Sequence, residues 1–97
     1  MLSLGSLGGG VRYAYTSRIG GFSSAAYEAL NLSLDVGDDP VAVARNRELL
    51  LARVGVSRAI WLKAQHGAAV AVADESMVGA QPDADALVTT TTGLGLA

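Results

Sequence analysis

Two segments in the first third of the chain alternate between apolar and polar positions. In residues 11–16 large apolar side chains occupy every second position and would share one face of a β-strand. The glycines at 20–21 end this pattern, and a loop of small and polar residues continues to about Ala26. The leucines of segment 30–34 alternate again, which predicts a short extended piece that ends at Gly37.

A helical period follows. Segment 38–40 (Asp-Asp-Pro) is a typical helix start, because Asp accepts hydrogen bonds from the free N–H groups of the first turn and Pro suits the first helical position. Side chains that would form one helical stripe then recur: Val43, Arg47, Leu50, Leu51 and Val54. Gly55 follows where a C-terminal glycine cap belongs. The pattern leaves open whether Asn46 and Arg47 face a site or solvent.

Short strands are predicted for the rest of the chain. Residues 59–64, 69–73 and 86–91 are rich in strand-forming side chains, and His66-Gly67 lies between the first two segments. Residues 94–97 begin another apolar run, inside which the chain ends. We therefore expect an α+β unit that ends within a strand and is incomplete by itself.

Composition narrows the class of protein. The 97 residues suffice for one small domain, and 51% of them are apolar against 16% charged, which is typical of a globular protein. The net charge of −2 comes with no basic cluster, so neither nucleic acid nor a membrane is the expected partner. No signal peptide or membrane anchor is recognisable, and we expect a cytoplasmic protein. The absence of cysteine excludes a disulfide or a thiol nucleophile within these residues.

His66 is the only histidine of the chain. A zinc site needs three or four ligands, so His66 would have to be joined by carboxylates such as Asp74, Asp83 and Asp85. Spacing alone favours a hydrogen-bonded histidine at a strand end over a metal ligand. Gly67 beside it permits the close approach of a ligand or of backbone.

Arg18 lies beside two glycines in segment 16–21. A guanidinium donates in a planar fork that suits phosphate or carboxylate, and glycine loops can turn N–H groups toward anions. The pattern by itself favours the alternative, a surface arginine before an ordinary turn. The acidic group formed by Asp35, Asp38 and Asp39 is better explained by helix capping than by calcium binding, because EF-hand spacing is absent.

Five segments, in this order, resemble motifs of the YfiH/laccase-domain family. They are Thr16–Ser23 (T-S-R-I-G-G-F-S), Tyr27–Leu32 (Y-E-A-L-N-L), Val36–Arg47 (V-G-D-D-P, then V-A-R-N-R), Trp61–Gly67 (W-L-K-A-Q-H-G) and Ala84–Thr89 (A-D-A-L-V-T). The resemblance runs from about Tyr15 to the end of the chain. It implies a single-domain, mixed-sheet fold, of which residues 1–97 are the N-terminal portion.

The resemblance also implies a metal centre with two His ligands and one Cys ligand. His66 matches the first of these ligands, while the Cys and the second His belong to motifs that would follow Ala97. The metal would be zinc, with copper as the alternative, since imidazole suits both ions. One departure concerns the glutamine that the family has two residues before its histidine. This chain has Ala64 there and Gln65 next to His66, so a Gln65 on a strand would point away from the histidine.

Several activities are implied by the same resemblance. The first is that of a zinc-dependent purine nucleoside phosphorylase and adenosine deaminase, with a purine nucleoside and phosphate as substrates. Editing of a cell-wall precursor and copper-dependent polyphenol oxidation are the alternatives within the family. On the nucleoside interpretation, Arg18 is the candidate anion site and Asn31 the candidate partner of the nucleoside. Each has a structural alternative, a loop-anchoring arginine and a turn-forming asparagine. The rival from another class is an inactive fragment or a non-enzymatic binding piece.

Overall fold

The computed structural model describes residues 2–97, except for the side chain of Leu2. The chain forms two compact units, one that runs to Val54 and one from Gly55 to Ala97. The first unit contains an antiparallel hairpin, a loop and an α-helix, and the second contains two parallel strand pairs. This combination of one helix with antiparallel and parallel pairing confirms the predicted mixed α+β class.

The hairpin opens the first unit. Strand β1 (Leu2–Gly8) pairs antiparallel with β2 (Val11–Thr16), with a shift of register between Ser6 and Gly8. The glycines at 8–10 all have positive φ, which lets the chain reverse tightly. The structure confirms the predicted strand over 11–16. Strand β1 was not predicted, because its serines and glycines have low strand propensity and its pairing with β2 defines it.

A long loop connects β2 to the helix, and the only regular element within it is a 3₁₀ turn over Ala25–Tyr27. The extended piece predicted over 30–34 is therefore wrong. The carbonyl groups of Asn31 and Leu32 accept hydrogen bonds from side chains of the helix instead of from a neighbouring strand. The alternating leucines thus belong to an irregular segment, of which Leu30 is buried.

Helix α1 (Pro40–Val54) has the predicted bounds. The Asp39 carboxylate accepts the N–H of Val41 at 3.0 Å, so Asp39 caps the first turn, and Gly55 follows the last turn with φ +82°. The buried residues of the helix are Val43, Asn46 and Leu50. The predicted apolar stripe is thus confirmed at Val43 and Leu50, but its central buried position is a polar one, Asn46.

The second unit is built from short parallel pairs. Strand β3 (Arg58–Ile60) pairs with β6 (Leu94–Leu96), and β4 (Val70–Val72) pairs with β5 (Ala86–Val88). All of the predicted strands are present, each shorter than predicted, and a single bridge joins Lys63 to Asp83 beyond β3. Small side chains dominate the buried apolar positions of the second unit, which are Ala59, Ile60, Ala73 and Ala84.

No helix within residues 2–97 is both long and apolar enough to cross a membrane. The one α-helix of this part of the chain, α1, is 15 residues long and carries charged side chains along its length.

Candidate functional site

The loop of the first unit forms an open cleft of about 490 Å³. Its lining comes from the end of β2, from the 3₁₀ turn and from the segment up to Ser33. Both predicted substrate-binding residues, Arg18 and Asn31, lie in this lining, although they are separated along the chain. The structure thus brings the two candidates together in one concave surface.

Arg18 has an anchored backbone and an exposed side chain. Its carbonyl oxygen accepts the N–H of Ala29 at 2.7 Å and that of Leu30 at 2.8 Å, which ties the two sides of the loop together. Within residues 2–97 its guanidinium group makes no hydrogen bond and no ion pair. The side chain therefore presents its donors at the cleft from a fixed backbone position.

The Asn31 side chain is occupied by its own loop. Both amide hydrogens are donated, one to the carbonyl oxygen of Ser33 at 3.1 Å and one to Oδ2 of Asp38 at 3.1 Å. Oδ1 accepts the Ser33 N–H at 3.2 Å, which leaves one lone pair. This geometry is that of the turn-forming asparagine, so a direct contact with a ligand would use the remaining lone pair of Oδ1.

Asn46 organises the cleft from beneath, a role that sequence reasoning left open. Its side chain is fully buried on α1. Oδ1 accepts the N–H of Phe22 at 2.6 Å, while Nδ2 donates to the carbonyl oxygen of Asn31 at 2.7 Å and to Oγ of Ser23 at 2.9 Å. Its spacing in the sequence could have indicated burial, because a residue three positions after Val43 and four before Leu50 lies on the same helix face as both.

Asp38 extends this network toward the surface. Its Oδ2 accepts hydrogen bonds from the Ser23 hydroxyl and from the Asn31 amide. The bond from Ser23 contributes most to lowering the pKa of Asp38, and the bonds from Asn31 and from the Asp39 backbone lower it further. Desolvation opposes them by raising it. The folded protein therefore protonates this carboxylate only at a lower pH than an ordinary aspartate.

Arg47, the second residue whose orientation the sequence left open, also faces the loop. Its Nε donates to the carbonyl oxygen of Leu32 at 2.8 Å. Burial lowers the pKa of Arg47, and the nearby Asp35 carboxylate opposes that shift. The second helix side chain thus fixes the segment that lines the cleft.

In the second unit, His66 lies in the loop that precedes β4. The residue is exposed and has φ +56°, in the left-handed region. The Asp85 carboxylate bridges the loop on either side of it: Oδ1 accepts the N–H of Gln65 at 2.7 Å and Oδ2 that of Ala69 at 3.1 Å. Asp85 thus closes the turn that presents the imidazole to solvent.

The electrostatics of Asp85 reflect this role. Desolvation acts to raise the pKa of the carboxyl group. Hydrogen bonds from the backbone N–H groups of Gly67, Gln65, Ala69 and His66 act in the opposite direction, and their sum lowers the pKa below its ordinary value. Four backbone N–H groups of the same loop therefore point toward one carboxylate, as they do toward anions in the anion-binding loops of proteins.

The other candidate carboxylate ligands are committed elsewhere. Asp74 caps a 3₁₀ turn by accepting the Ser76 N–H at 2.9 Å, and Asp83 accepts from the Gln65 amide at 3.3 Å. Among residues 2–97 no three or more His, Cys, Asp or Glu side chains are grouped so that they could hold a metal ion. Of the ligands that the resemblance implies, His66 is the candidate that lies among these residues.

Strand alternation does not govern Gln65, because residues 64–66 lie outside the strands. Its amide turns back to donate to the carbonyl oxygen of Lys63 at 3.0 Å and to Asp83. The strand pattern from which Gln65 was expected to point away from His66 is therefore absent. Gln65 lies in a loop, and its side chain is hydrogen-bonded to both residues of the Lys63–Asp83 bridge.

A family model described as multi-copper polyphenol oxidoreductase laccase matches residues 12–97. The chain belongs to this family. The match covers all five motifs, so the resemblance to the YfiH/laccase-domain family is confirmed.

Curated members of the laccase-domain family are similar over almost the whole chain. A purine nucleoside phosphorylase of Streptomyces coelicolor is 46% identical over 91 residues, which are 91% of this chain and 38% of the relative. One of Mycobacterium bovis is 42% identical over 89 residues, which are 90% of this chain and 36% of the relative. The chain thus spans little more than a third of the length of these relatives.

A solved structure supports the fold of the family. The crystal structure of a Neisseria meningitidis protein of the DUF152 family superimposes with a TM-score of 0.75 and is 41% identical. The match covers 86% of this chain and 34% of that protein. The arrangement of strands, loop and helix is therefore that of part of a larger laccase-domain fold.

Proposed function

We propose that this chain forms part of a zinc-dependent enzyme that cleaves purine nucleosides with phosphate, and that adenosine deamination is a second reaction of the same protein. The observation that carries the proposal is the similarity of 42–46% over nine-tenths of the chain to relatives named purine nucleoside phosphorylase. The exposed guanidinium of Arg18 in the cleft supports it, because phosphorolysis needs a cation for the attacking phosphate.

The proposed role of Arg18 follows from its geometry. Phosphate carries negative charge that a guanidinium can meet with two parallel hydrogen bonds. The two hydrogen bonds to the Arg18 carbonyl fix the backbone, so that binding restricts only the side chain. Asn31 would hold the loop in shape for this contact, with one lone pair of Oδ1 left for a hydroxyl or amino group of the nucleoside.

Zinc is proposed to bind at His66. The exposed imidazole is a suitable ligand, and further ligands would have to come from outside residues 2–97. When bound, zinc would supply a Lewis acid that activates water and polarises an electrophilic carbon. The contribution of this chain is to present the imidazole on a loop whose backbone N–H groups are already bonded to Asp85.

Copper-dependent oxidation of polyphenols is the second candidate, and the description of the family model favours it. A centre of several copper ions would need many imidazole ligands, of which this chain would contribute His66. Metal analysis of the purified protein decides between the two ions. Copper at stoichiometric amounts together with oxidation of a phenol would favour this alternative.

The decisive experiment compares the 97-residue chain with a protein extended past Ala97 through the region that its relatives possess. We expect the extended protein to hold zinc and to convert inosine to hypoxanthine only when phosphate is present. Conversion of adenosine to inosine without phosphate measures the second reaction. A zinc-loaded protein that leaves both nucleosides unchanged would overturn the assignment and would make a cell-wall precursor the next substrate to test.

Replacement of Arg18 tests its role directly. In the extended protein we expect Arg18→Ala to raise KM for phosphate by about tenfold or more, since a charged hydrogen bond contributes about 1.5–3 kcal/mol. Deamination of adenosine should keep its wild-type rate, because it uses no phosphate. Arg12→Ala, an exposed arginine on β2, is the matched control. An unchanged KM for phosphate in Arg18→Ala would remove Arg18 from the site.

A further inference from the structure

The turn around His66 depends on a residue from a separate motif. We propose that Asp85 is a positioning residue: by binding the backbone N–H groups of the loop 65–69, it holds His66 in the orientation that the metal site requires. The inference rests on the proposed function, because it takes His66 to be a metal ligand. Nothing in the family resemblance assigns such a role to Asp85.

The Asp85 carboxylate spans the loop. Its two oxygens bind opposite ends of the loop, the Gln65 N–H at 2.7 Å and the Ala69 N–H at 3.1 Å. The Asp85 N–H donates in return to the carbonyl oxygen of Ala69 at 2.8 Å. His66 and Gly67 thus lie between two backbone positions that are both hydrogen-bonded to Asp85.

His66 has a left-handed backbone conformation. A non-glycine residue with φ +56° has a cost of about 1–3 kcal/mol and persists when its surroundings fix it. A Cβ at Gly67 would lie 3.5 Å from Oδ2 of Asp85, so the carboxylate is packed against the turn itself. The direction of the Cα–Cβ bond of His66 follows from this backbone conformation, and the imidazole follows from that bond.

Asp85 and the His66 loop lie at the same edge of the β4–β5 pair. The loop leads into β4 at Val70, and Asp85 comes immediately before β5 at Ala86, which is the residue paired with Val70. Because β4 and β5 run parallel, both begin at the same edge of the pair. Ligating histidines are commonly oriented through a carboxylate on their ring N–H. In this chain the carboxylate orients the backbone that carries the ring.

The test uses Asp85→Asn in the extended protein. The substitution keeps the size of the side chain but turns an NH₂ group toward at least one backbone N–H. We expect zinc affinity, measured by competition with a chromophoric chelator, to fall about 10–100-fold. In the metal-free protein, amide hydrogen exchange over residues 65–69 should become faster. Asp83→Asn is the matched control, since Asp83 contacts the Gln65 side chain and should leave both quantities near wild type.

The outcomes separate this inference from the proposed function. Wild-type zinc affinity in His66→Ala would refute the proposed ligand. If His66→Ala loses zinc while Asp85→Asn retains wild-type affinity, only the role of Asp85 is overturned, whatever its exchange rates. Should Asp85→Asn fail to fold, Asp85→Glu keeps the charge while displacing the carboxylate, and a smaller loss of zinc affinity is then expected. Wild-type affinity in that variant would also overturn the inference.

Discussion

Two loops of this chain carry the exposed candidate residues, Arg18 and His66, and each loop is held by one polar side chain from a neighbouring element. Asn46 holds the cleft loop of the first unit from within a helix, fully buried. Asp85 holds the His66 loop of the second unit from the start of a strand, partly exposed. One holder is a neutral amide and the other is a charged carboxylate.

The difference follows from the backbone groups that each holder meets. Asn46 faces both backbone donors and backbone acceptors. Its partners are the Phe22 N–H, the Asn31 carbonyl oxygen and the Ala29 carbonyl oxygen, the last at 3.3 Å. Only an amide offers an acceptor and two donors on one short side chain. Asp85 faces N–H groups alone, for which a carboxylate is the stronger acceptor. Partial exposure lets that charge remain hydrated, whereas a charge at position 46 would be buried without a counterion.

Truncation of Asn46 should have the most severe consequence for stability. We expect Asn46→Ala to lower the free energy of unfolding by roughly 3 kcal/mol, because it leaves the part-buried Phe22 N–H and Asn31 carbonyl group without a hydrogen-bond partner. It also removes one of the two hydrogen bonds to the Ala29 carbonyl oxygen. Chemical denaturation of the extended protein measures this. Glu48→Ala, at an exposed position of the same helix, should change stability by less than about 0.5 kcal/mol.

Asn46→Asp adds a second check on the same residue. It keeps the acceptor for Phe22 but loses both donors and buries a charge, so it should be at least as destabilising as Asn46→Ala. Equal stability of Asn46→Asp and the wild type would mean that the donor bonds to the loop carbonyls contribute nothing.

The sequence predicted the elements whose residues specify them locally. Helix α1 has its cap at Asp39, a proline at its first position and a terminal glycine, and its bounds could be predicted to the residue. Strand β2 alternates cleanly, and its bounds were also predicted. The parallel strands were predicted at the right places but with too many residues, because the ends of a strand depend on where its partner stops.

Tertiary contacts determine the conformation of segment 30–34 and the side chains that hold the two loops, and neither could be predicted from the sequence. Segment 30–34 alternates like a strand, yet its carbonyl groups bond to Asn46 and Arg47 and it forms a loop. The motifs around Arg18 and His66 could be located, but the side chains that hold them, Asn46 and Asp85, could not. Both holders act on residues 15 or more positions away, a separation that no local pattern encodes.

The two loops also differ in how closely other atoms approach their glycines. A Cβ at Gly21 would lie 2.3 Å from the Ala29 carbonyl oxygen, a backbone atom, whereas a Cβ at Gly67 would lie 3.5 Å from Asp85, an ordinary contact. We expect Gly21→Ala to cost about 1–3 kcal/mol of stability and to raise KM for phosphate, because the loop behind Arg18 must move. Gly67→Ala should be close to neutral by thermal unfolding. Equal effects of the two substitutions would show that the cleft loop is no more tightly packed than the His66 loop.

The smallest expected effect concerns the one charged member of the Asn46 network. The pKa of Asp38 is lowered by its hydrogen bonds from Ser23, Asn31 and the Asp39 backbone, against an ordinary value of 3.8. A lowered folded-state pKa means that Asp38 stabilises the folded protein fully above that ordinary value. The contribution then disappears as the pH falls through the lower folded-state value. Denaturation between pH 7 and pH 2 should therefore show a loss of stability at the acid end that is smaller in Ser23→Ala. The cost of Asn46→Ala should stay constant across the upper part of that range, because an amide does not titrate. An Asn46→Ala cost that instead varied with pH above 5 would mean that a titrating group other than Asp38 is coupled to Asn46, and the contrast between a neutral and a charged side chain would fail.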